Sequence, residues 1–297
     1  MNSVTRAAHA KINLTLDVGL RRPGGYHDIR SVMQTVGLHD TLTVTPASLP
    51  GVRLRVTGEE ADGVPADETN LVHKAAVRLQ KIAAARGVLP GSRSGLTITL
   101  HKRIPSQAGL GGGSSNAAAT LLAVNGLFGL HLSRARLVEI GAALGADVPF
   151  FFTGGTALAE GLGEKITPLP PLVPEWHLVI VKPDAGVSTA AAYAALDARP
   201  SRTIGSATER WLNGDWAVSN DFETVILPAY PAVAAAYALL SQTAESEKSF
   251  KPLLCGSGAA LFLRASTLYA AEKAAAQVRA AGIGKVWVTE TAGADSE

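Results

Sequence analysis

A glycine-rich segment from Pro105 to Asn116 constrains the fold of this chain more than any other feature of its sequence. Before the segment, Leu96, Ile98 and Leu100 alternate with polar residues and predict a strand, and the apolar stretch 117–128 after it predicts a helix. Glycines allow successive backbone N–H groups to point toward one place, and a helix start adds unpaired donors and a positive dipole end. The pattern therefore predicts an anion site between a strand and a helix, in preference to a flexible linker.

The spacing of this segment differs from two common phosphate loops. No Gly-Lys-Ser or Gly-Lys-Thr follows the glycines, which excludes a Walker A loop. A serine or an asparagine stands where the dinucleotide fingerprint has its third glycine. The hydroxyl groups of Ser114 and Ser115 suit phosphate oxygens or Mg²⁺.

Strand and helix patterns follow one another irregularly along the rest of the chain. Further strands are predicted at 10–16, 42–44, 52–56, 178–181 and 286–288, as two pieces within 253–263, and helices at 70–86, 189–196, 231–240 and 266–281. This order favours an α+β fold over regular βαβ winding. Glycines and prolines cluster from Glu160 to Pro174, so we expect an N-terminal domain of residues 1–160 and a C-terminal domain of residues 161–297.

Composition limits the class of protein. Of the 297 residues, 47% are apolar and 18% charged, enough to bury a core, and the net charge of +2 gives no sign of a nucleic-acid or anionic membrane partner. No apolar run approaches the roughly eighteen residues of a membrane helix, and the first residues show no secretory signal. The single cysteine, Cys255, excludes an internal disulfide and a cysteine metal cluster. We therefore expect a cytoplasmic globular protein.

Two charged residues stand beside apolar neighbours. Asp147 heads the apolar run Val148–Phe152, and Lys11 lies between apolar residues on a predicted strand. Burying either charge alone costs several kcal/mol, so pairing the two would offset both costs. The pair is a candidate for catalysis, and a structural ion pair or an aspartate acting as a helix cap remain as alternatives.

The glycine-rich segment also resembles a known motif. Gly109 to Ala118 is similar to the central motif of the GHMP kinases, which include galactokinase and the homoserine, mevalonate and phosphomevalonate kinases. Ala10-Lys11-Ile12-Asn13-Leu14 and Gly256-Ser257-Gly258-Ala259 resemble the other two motifs of that family, in the same order along the chain. The triple glycine is similar to the form found in the diphosphocytidyl-methylerythritol kinases.

The resemblance implies an architecture and a set of roles. It implies an N-terminal domain like that of ribosomal protein S5, a ferredoxin-like C-terminal domain, and an active site in the cleft between them. Asp147 would accept the proton of the attacking hydroxyl, with Lys11 holding it ionised, and ATP would bind with Mg²⁺. The metal ligands stay unassigned. The expected ATP-binding residues are Asn70, Pro105, Gly109, Leu110, Gly111, Gly112, Gly113, Ser114 and Ser115, and the C-terminal glycine motif adds Gly256, Ser257 and Gly258.

A second segment narrows the expected substrate. Gly25-Tyr26-His27 resembles the segment that reads cytidine in the diphosphocytidyl-methylerythritol kinases, which makes Tyr26, His27 and Asn13 the expected substrate contacts. Asn70 lies in a segment similar to the family's adenine side, although a plain helix cap is a nearly equal alternative. Gly186 to Thr189 and Asn220 to Glu223 also resemble family segments.

The activity implied by the resemblance is phosphorylation of the 2-hydroxyl of diphosphocytidyl-methylerythritol, giving the 2-phosphate and ADP, in non-mevalonate isoprenoid synthesis. Another GHMP kinase, for homoserine or a mevalonate derivative, is one alternative, and a catalytically silent nucleotide-binding relative is the other. Gln107 and Cys255 depart from the family pattern, and Cys255 is expected to be a small buried side chain. A monomer or a homodimer is expected, with a small molecule carrying a cytidine diphosphate group as partner.

Overall fold

The structure is a computed structural model that describes residues 3–88, 95–199, 205–216, 218–246 and 251–294. Strands and helices are mixed along the chain, which confirms the predicted α+β class. The strands are β1 (Val4–Asn13), β2 (Thr15–Arg21), β3 (His27–Ala47), β4 (Val52–Thr57), β5 (Gly95–His101), β6 (Thr156–Gly161), β7 (Lys165–Pro168), β8 (His177–Pro183), β9 (Ser219–Asn220), β10 (Leu253–Leu254), β11 (Leu261–Ala265) and β12 (Gly284–Glu290).

The helices include every one that the sequence predicts. They are α1 (Leu71–Ala85), α2 (Gly112–Leu127), α3 (Arg134–Ala142), α4 (Phe150–Thr153), α5 (Thr189–Asp197), α6 (Ala207–Arg210), α7 (Glu223–Ala229), α8 (Pro231–Ser246) and α9 (Leu268–Ala281). A π-helical turn, Trp211–Asp215, continues α6. Across the described part of the chain, no single helix has the length and apolarity to span a membrane, and α7 and α8 meet that test only together, bent by 111°.

The chain divides into two compact units. The first unit comprises Met1–Ala10, His39–Ser106 and Gly111–Phe152, and the second comprises Lys11–Leu38, Gln107–Leu110 and Thr153–Glu297. The domain boundary near residue 160 and the placement of the active site in a cleft stay predictions.

The first unit is built on the end of β3 and on the strands beside it. Residues Thr41–Ala47 of β3 pair antiparallel with β5, and β5 pairs parallel with β4. The apolar positions that alternate along β5 are buried with those of α1 and α2 in one core, as period-two and period-3.6 patterns require. This core fixes β5 and α2, which flank the glycine-rich segment.

The second unit contains an antiparallel four-stranded sheet in the order β10-β11-β8-β12. Its strand β8 pairs on one side with β11 and on the other with β12, and Leu178–Val181 are fully buried, which explains their unbroken apolar run. One face of α9 is buried as well, through Ala270, Ala271, Ala274 and Ala275, so the alanine-rich segment is ordinary packing, as expected. The same unit pairs β2 with β3 antiparallel and with β9 parallel.

Two elements differ from the sequence prediction. Helix α2 begins at Gly112 and not at Ala117, so the last glycines of the rich segment form its first turn. Strand β3 is 21 residues long, whereas only positions 42–44 are predicted as strand. Residues 31–36 of β3 are buried on both faces, and this removes the alternation by which a strand is recognised in a sequence.

Candidate active site

The polar side chains at the end of β1 and along β2 are buried in the second unit. Lys11, Asn13, Thr15 and Asp17 are each at most 5% exposed, although the alternation predicts only one polar face. Lys11 Nζ donates to Asn13 Oδ1 at 2.7 Å, and Asn13 Nδ2 donates to Ser31 Oγ at 2.8 Å. These bonds satisfy polar groups that burial would otherwise leave without water, and they hold Lys11 and Asn13 in one orientation.

Three separate sequence motifs meet in the second unit. The backbone N–H of Lys11 donates to Leu110 O at 2.9 Å, which joins the first motif to the glycine-rich segment. The N–H groups of Ala259 and Ala260 donate to the carbonyls of Gln107 and Ala108, both at 3.2 Å, which joins that segment to the C-terminal glycine motif. These bonds bring residues 107–110 of the glycine-rich segment together with the other two motifs within the second unit.

Gly109 is required by a close backbone approach. Its φ is +75°, and a Cβ at this position would lie 1.8 Å from the carbonyl oxygen of Cys255. A side chain would collide with the backbone, so only glycine allows the two motifs to come this close.

The C-terminal glycine motif lies against Lys11 and Asn13. The N–H of Gly256 donates to Asn13 Oδ1 at 3.0 Å, and a Cβ on Gly256 would lie 3.4 Å from Lys11 Nζ. The hydroxyl groups of Ser257 and Thr189 are hydrogen-bonded at 3.0 Å, which connects the motif to the start of α5. Gly258 is buried in the same loop.

Cys255 is a buried thiol beside this motif, as expected. Burial raises its pKa to about 12, and the positive charge of Lys11 opposes this rise without cancelling it. The side chain is therefore a neutral thiol near pH 7, and it acts as a small apolar group.

The start of α2 provides backbone donors in the first unit. Gly111 precedes the helix with a φ of +70°, no side chain caps it, and no acidic residue stands in its first turn. The first N–H groups of the helix and the positive end of its dipole therefore form a set of donors that suits an anion. Pro105, Leu110 and Ser115 are buried, while the glycines and Ser114 retain exposure.

A buried ion pair that the sequence analysis missed lies at the same helix start. Lys102 Nζ contacts both the carboxylate of Asp40 and Asn116 Oδ1, and Asn116 Nδ2 donates to Asp40 at 2.9 Å. The second oxygen of Asp40 accepts the N–H groups of Arg103 and Ile104, at 2.7 and 2.9 Å. The network fixes the end of β5 to the first turns of α2. Asp40 stands between His39 and Thr41, and Lys102 between His101 and Arg103, so no local pattern in the sequence marks either residue as buried.

Asp147 lies in the turn between α3 and α4 of the first unit. Its side chain is half-buried, while Val148 after it is fully buried and donates its N–H to Gly145 O at 3.1 Å. Asp147 therefore lies nearer the surface than the apolar run that follows it. The free-energy cost of burying its carboxylate is smaller than the sequence suggests. Lys11 belongs to the second unit, and the pairing of the two charges stays a prediction.

Asn70 is the N-cap of α1. Its Oδ1 accepts the N–H of Val72 at 2.9 Å, and its Nδ2 donates to Pro65 O at 2.7 Å. The helix-cap alternative is thus confirmed, and a contact with adenine stays a prediction.

Tyr26 and His27 are neighbours in the chain but differ in their exposure to solvent. Tyr26 is 66% exposed, whereas the buried His27 contacts Asp197 Oδ1 through Nε2 at 2.7 Å. Tyr193 stacks on the His27 ring, with centroids 4.8 Å apart. The sequence analysis did not single out Tyr193 or Asp197. Their spacing of four residues on the predicted helix α5, after a segment already linked to substrate, was the available signal.

The oxygen atoms available near the glycine-rich segment suit a metal ion that binds together with a nucleotide. Among the described residues no group of three or more His, Cys, Asp or Glu side chains could hold a metal ion. Mg²⁺ bound to nucleotide needs only one or two protein oxygens, because phosphates and water complete its shell. The hydroxyl of Ser114 and the carboxylate of Asp147, both half-buried in the first unit, are oxygens of this kind.

Comparison with known proteins agrees with the motifs. The family model described as GHMP kinases N terminal domain matches residues 70–155. The chain is 45% identical over 274 residues to the 4-diphosphocytidyl-2-C-methyl-D-erythritol kinase of Moorella thermoacetica, a match that covers 88% of this chain and 90% of that protein.

Solved structures give the same picture. A crystal structure of 4-(cytidine 5'-diphospho)-2C-methyl-D-erythritol kinase is 31% identical with a TM-score of 0.77, covering 98% of this chain and all of that one. Homoserine kinase from Cytophaga hutchinsonii, at 19% identity and a TM-score of 0.69 over 98% of this chain and 95% of its own, shares the fold. The chain therefore belongs to the GHMP kinases and, within them, to the 4-diphosphocytidyl-2-C-methyl-D-erythritol kinase family.

Proposed function

We propose that this protein transfers the γ-phosphoryl group of ATP to the 2-hydroxyl of 4-diphosphocytidyl-2-C-methyl-D-erythritol, giving the 2-phosphate and ADP in non-mevalonate isoprenoid synthesis. The proposal rests mainly on one observation: this chain is 45% identical, over 88% of its own length, to a protein named for this activity. The meeting of the Lys11, Gly109 and Gly256 motifs around one polar network supports it.

The ATP phosphates bind at the start of α2. The first N–H groups of this helix donate to phosphate oxygens, and the helix dipole favours their negative charge. Ser114 is the side chain that would meet Mg²⁺, which supplies charge neutralisation at the phosphates when it is bound. The absence of acidic residues from the first turn of α2 keeps repulsion away from the nucleotide.

Asp147 accepts the proton of the substrate hydroxyl. As this proton moves to the carboxylate, the hydroxyl oxygen forms a bond to the γ-phosphorus, the bond to the bridging oxygen breaks, and ADP leaves. Lys11, held by Asn13, contributes positive charge that stabilises the carboxylate and the transferring group. Positioning and charge supply most of the rate acceleration in phosphoryl transfer, so few side chains are needed.

The cytosine is recognised at Tyr26 and His27. Tyr26 is exposed and offers a ring face for stacking, while Nε2 of His27 is already bonded to Asp197. The other ring nitrogen, Nδ1, is then the one that bonds the pyrimidine edge. This segment favours the diphosphocytidyl substrate over homoserine or a mevalonate derivative, and the presence of both Lys11 and Asp147 disfavours a silent nucleotide-binding protein.

An acceptor panel tests the proposal. ATP-Mg²⁺ is supplied with diphosphocytidyl-methylerythritol, homoserine or mevalonate, and ADP release is followed for the wild type and for Asp147→Asn. We expect turnover with the first acceptor alone, falling by about 10²–10⁴-fold in the variant because the proton acceptor is lost. Turnover with homoserine or mevalonate, or none with any acceptor by a folded protein that binds ATP, would contradict the proposal.

A further inference from the structure

One family-like segment, Asn220 to Glu223, has no role in the function proposed above. Asn220 ends the short strand β9 and is 1% exposed. Its Nδ2 donates to the carbonyl oxygens of Leu254 and Gly256, at 2.8 and 2.7 Å, and its Oδ1 accepts the N–H of Phe222 at 3.0 Å. Both donor hydrogens of the amide are thus used, one on the end of β10 and the other on the C-terminal glycine motif.

Gly256 is held on its other side by Asn13. Its N–H donates to Asn13 Oδ1 at 3.0 Å, and the same oxygen accepts Lys11 Nζ at 2.7 Å. A continuous series of hydrogen bonds therefore runs from Asn220 through Gly256 and Asn13 to Lys11, and all four residues are buried within the second unit.

Glycine has little conformational preference of its own, so the position of Gly256 depends on the groups that bond to it. Its φ of +51° lies in the left-handed region, and the two asparagines bond to its N–H and its C=O. If the bond from Asn220 is lost, the Gly256 N–H shifts on Asn13 Oδ1, and the acceptor that orients Lys11 shifts with it. Catalytic geometry is sensitive to such displacements, since about 1 Å of misplacement can cost about 10²-fold in rate.

We infer that Asn220 is a positioning residue for Lys11, acting through Gly256 and Asn13. The inference rests on the proposed role of Lys11 in phosphoryl transfer. Because Asn220 is only 1% exposed and acts through other residues, its removal should lower kcat and leave the KM for ATP nearly unchanged.

A purely structural role for Asn220 is the alternative, because it also anchors Leu254 in β10. Glu223 provides a matched control: its Oε1 accepts the N–H of Leu254 at 3.0 Å, and it makes no hydrogen bond to Gly256. Glu223→Ala therefore loosens the same strand end while the bonds on both sides of Gly256 remain.

A double-mutant cycle tests the inference. kcat and KM are measured for the wild type, Asn220→Ala, Lys11→Met and the double variant, with Glu223→Ala alongside and urea unfolding to establish that each is folded. We expect Asn220→Ala to lower kcat by about 10- to 100-fold in the wild type and to have almost no effect in the Lys11→Met background. Asn220→Ser, which keeps one donor hydrogen, should lose less, and it replaces the alanine variant if that one does not fold.

The outcomes separate this inference from the function on which it rests. Equal losses from Asn220→Ala in both backgrounds, or an equal loss of kcat in Glu223→Ala, would overturn the positioning role and leave the kinase activity intact. Full kcat in Lys11→Met would overturn the role of Lys11 and, with it, this inference. No turnover by the wild type would instead contradict the proposed function.

Discussion

Two lysines, Lys11 and Lys102, are buried to almost the same degree, at 3% and 4% exposed, and each stands at the end of a strand. Lys102 contacts a carboxylate, Asp40, whose remaining acceptors are filled by Asn116 and by backbone N–H groups. Lys11 Nζ donates to Asn13 Oδ1, the oxygen of a neutral amide, at 2.7 Å, and this bond orients the ammonium group. We propose that similar burial accompanies two different roles: Lys102 stabilises the start of α2 through its ion pair, whereas Lys11 brings its charge to the reaction.

The largest expected effect is on catalysis by Lys11→Met. The variant keeps most of the buried volume and removes the charge, so kcat should fall by about 10²–10⁴-fold in a protein that remains folded. Steady-state phosphoryl transfer and urea unfolding of the same preparation measure the two quantities. A loss of stability large enough to account for the lost activity would remove the contrast with Lys102.

Lys102→Met should show the opposite pattern. It leaves the carboxylate of Asp40 buried without its cation, which costs about 3–5 kcal/mol in the free energy of unfolding. Adding Asp40→Asn removes the uncompensated charge and should restore part of the loss. Urea unfolding of the single and double variants measures both effects. An unchanged free energy of unfolding in Lys102→Met would show that this pair does not stabilise α2.

Gly109→Ala disturbs the backbone contact between the glycine-rich segment and Cys255, beside the motif that contacts Lys11 and Asn13. The new Cβ would collide with the carbonyl of Cys255 and adopt a φ of +75°, so we expect a loss of about 1–3 kcal/mol in the free energy of unfolding.

The matched control is Gly126→Ala, on an exposed turn of α2 where a Cβ meets nothing within 4 Å. It should stabilise the protein by about 0.5–1 kcal/mol through helix propensity. Thermal unfolding of both variants measures these changes in stability. An equal loss of stability in the two variants would contradict the close backbone approach at Gly109.

The smallest effect concerns pH. Burial raises the pKa of Glu223 above its ordinary value of 4.5, and the nearby Lys251 opposes this only in part. A carboxyl group with a raised folded pKa contributes its full stability below pH 4.5 and loses it as the pH rises through the folded value. In urea unfolding, the stability of Glu223→Gln relative to the wild type should therefore increase as the pH rises above 4.5. Parallel stability profiles for the two proteins would refute the shift.

Local periodicity predicted the elements that flank the candidate site. Strand β5, helix α1 and strand β8 appear where alternation or an unbroken apolar run places them, because one buried face fixes the pattern. The beginning of α2 was missed by five residues, since glycine and serine are poor helix formers and only tertiary contacts make them helical here.

The site was predicted only where a motif accompanied the residue. Lys11 stands between apolar residues in a segment that resembles a family motif, whereas Lys102 stands between His101 and Arg103 and no motif marks it. Asp40 and Asn116 could not be assigned to Lys102, because their contacts join positions up to 76 residues apart. Such pairs depend on the fold, and no local pattern reveals them.

Analysis of the product tests the central claim most directly. The wild type is incubated with ATP-Mg²⁺ and diphosphocytidyl-methylerythritol, ADP is quantified, and the phosphorylated carbon is assigned by phosphorus–proton correlation in NMR spectra. We expect one ADP for each product molecule, with the new phosphate on the 2-oxygen of the erythritol. ADP without a phosphorylated acceptor, or phosphate on another oxygen, would contradict the account.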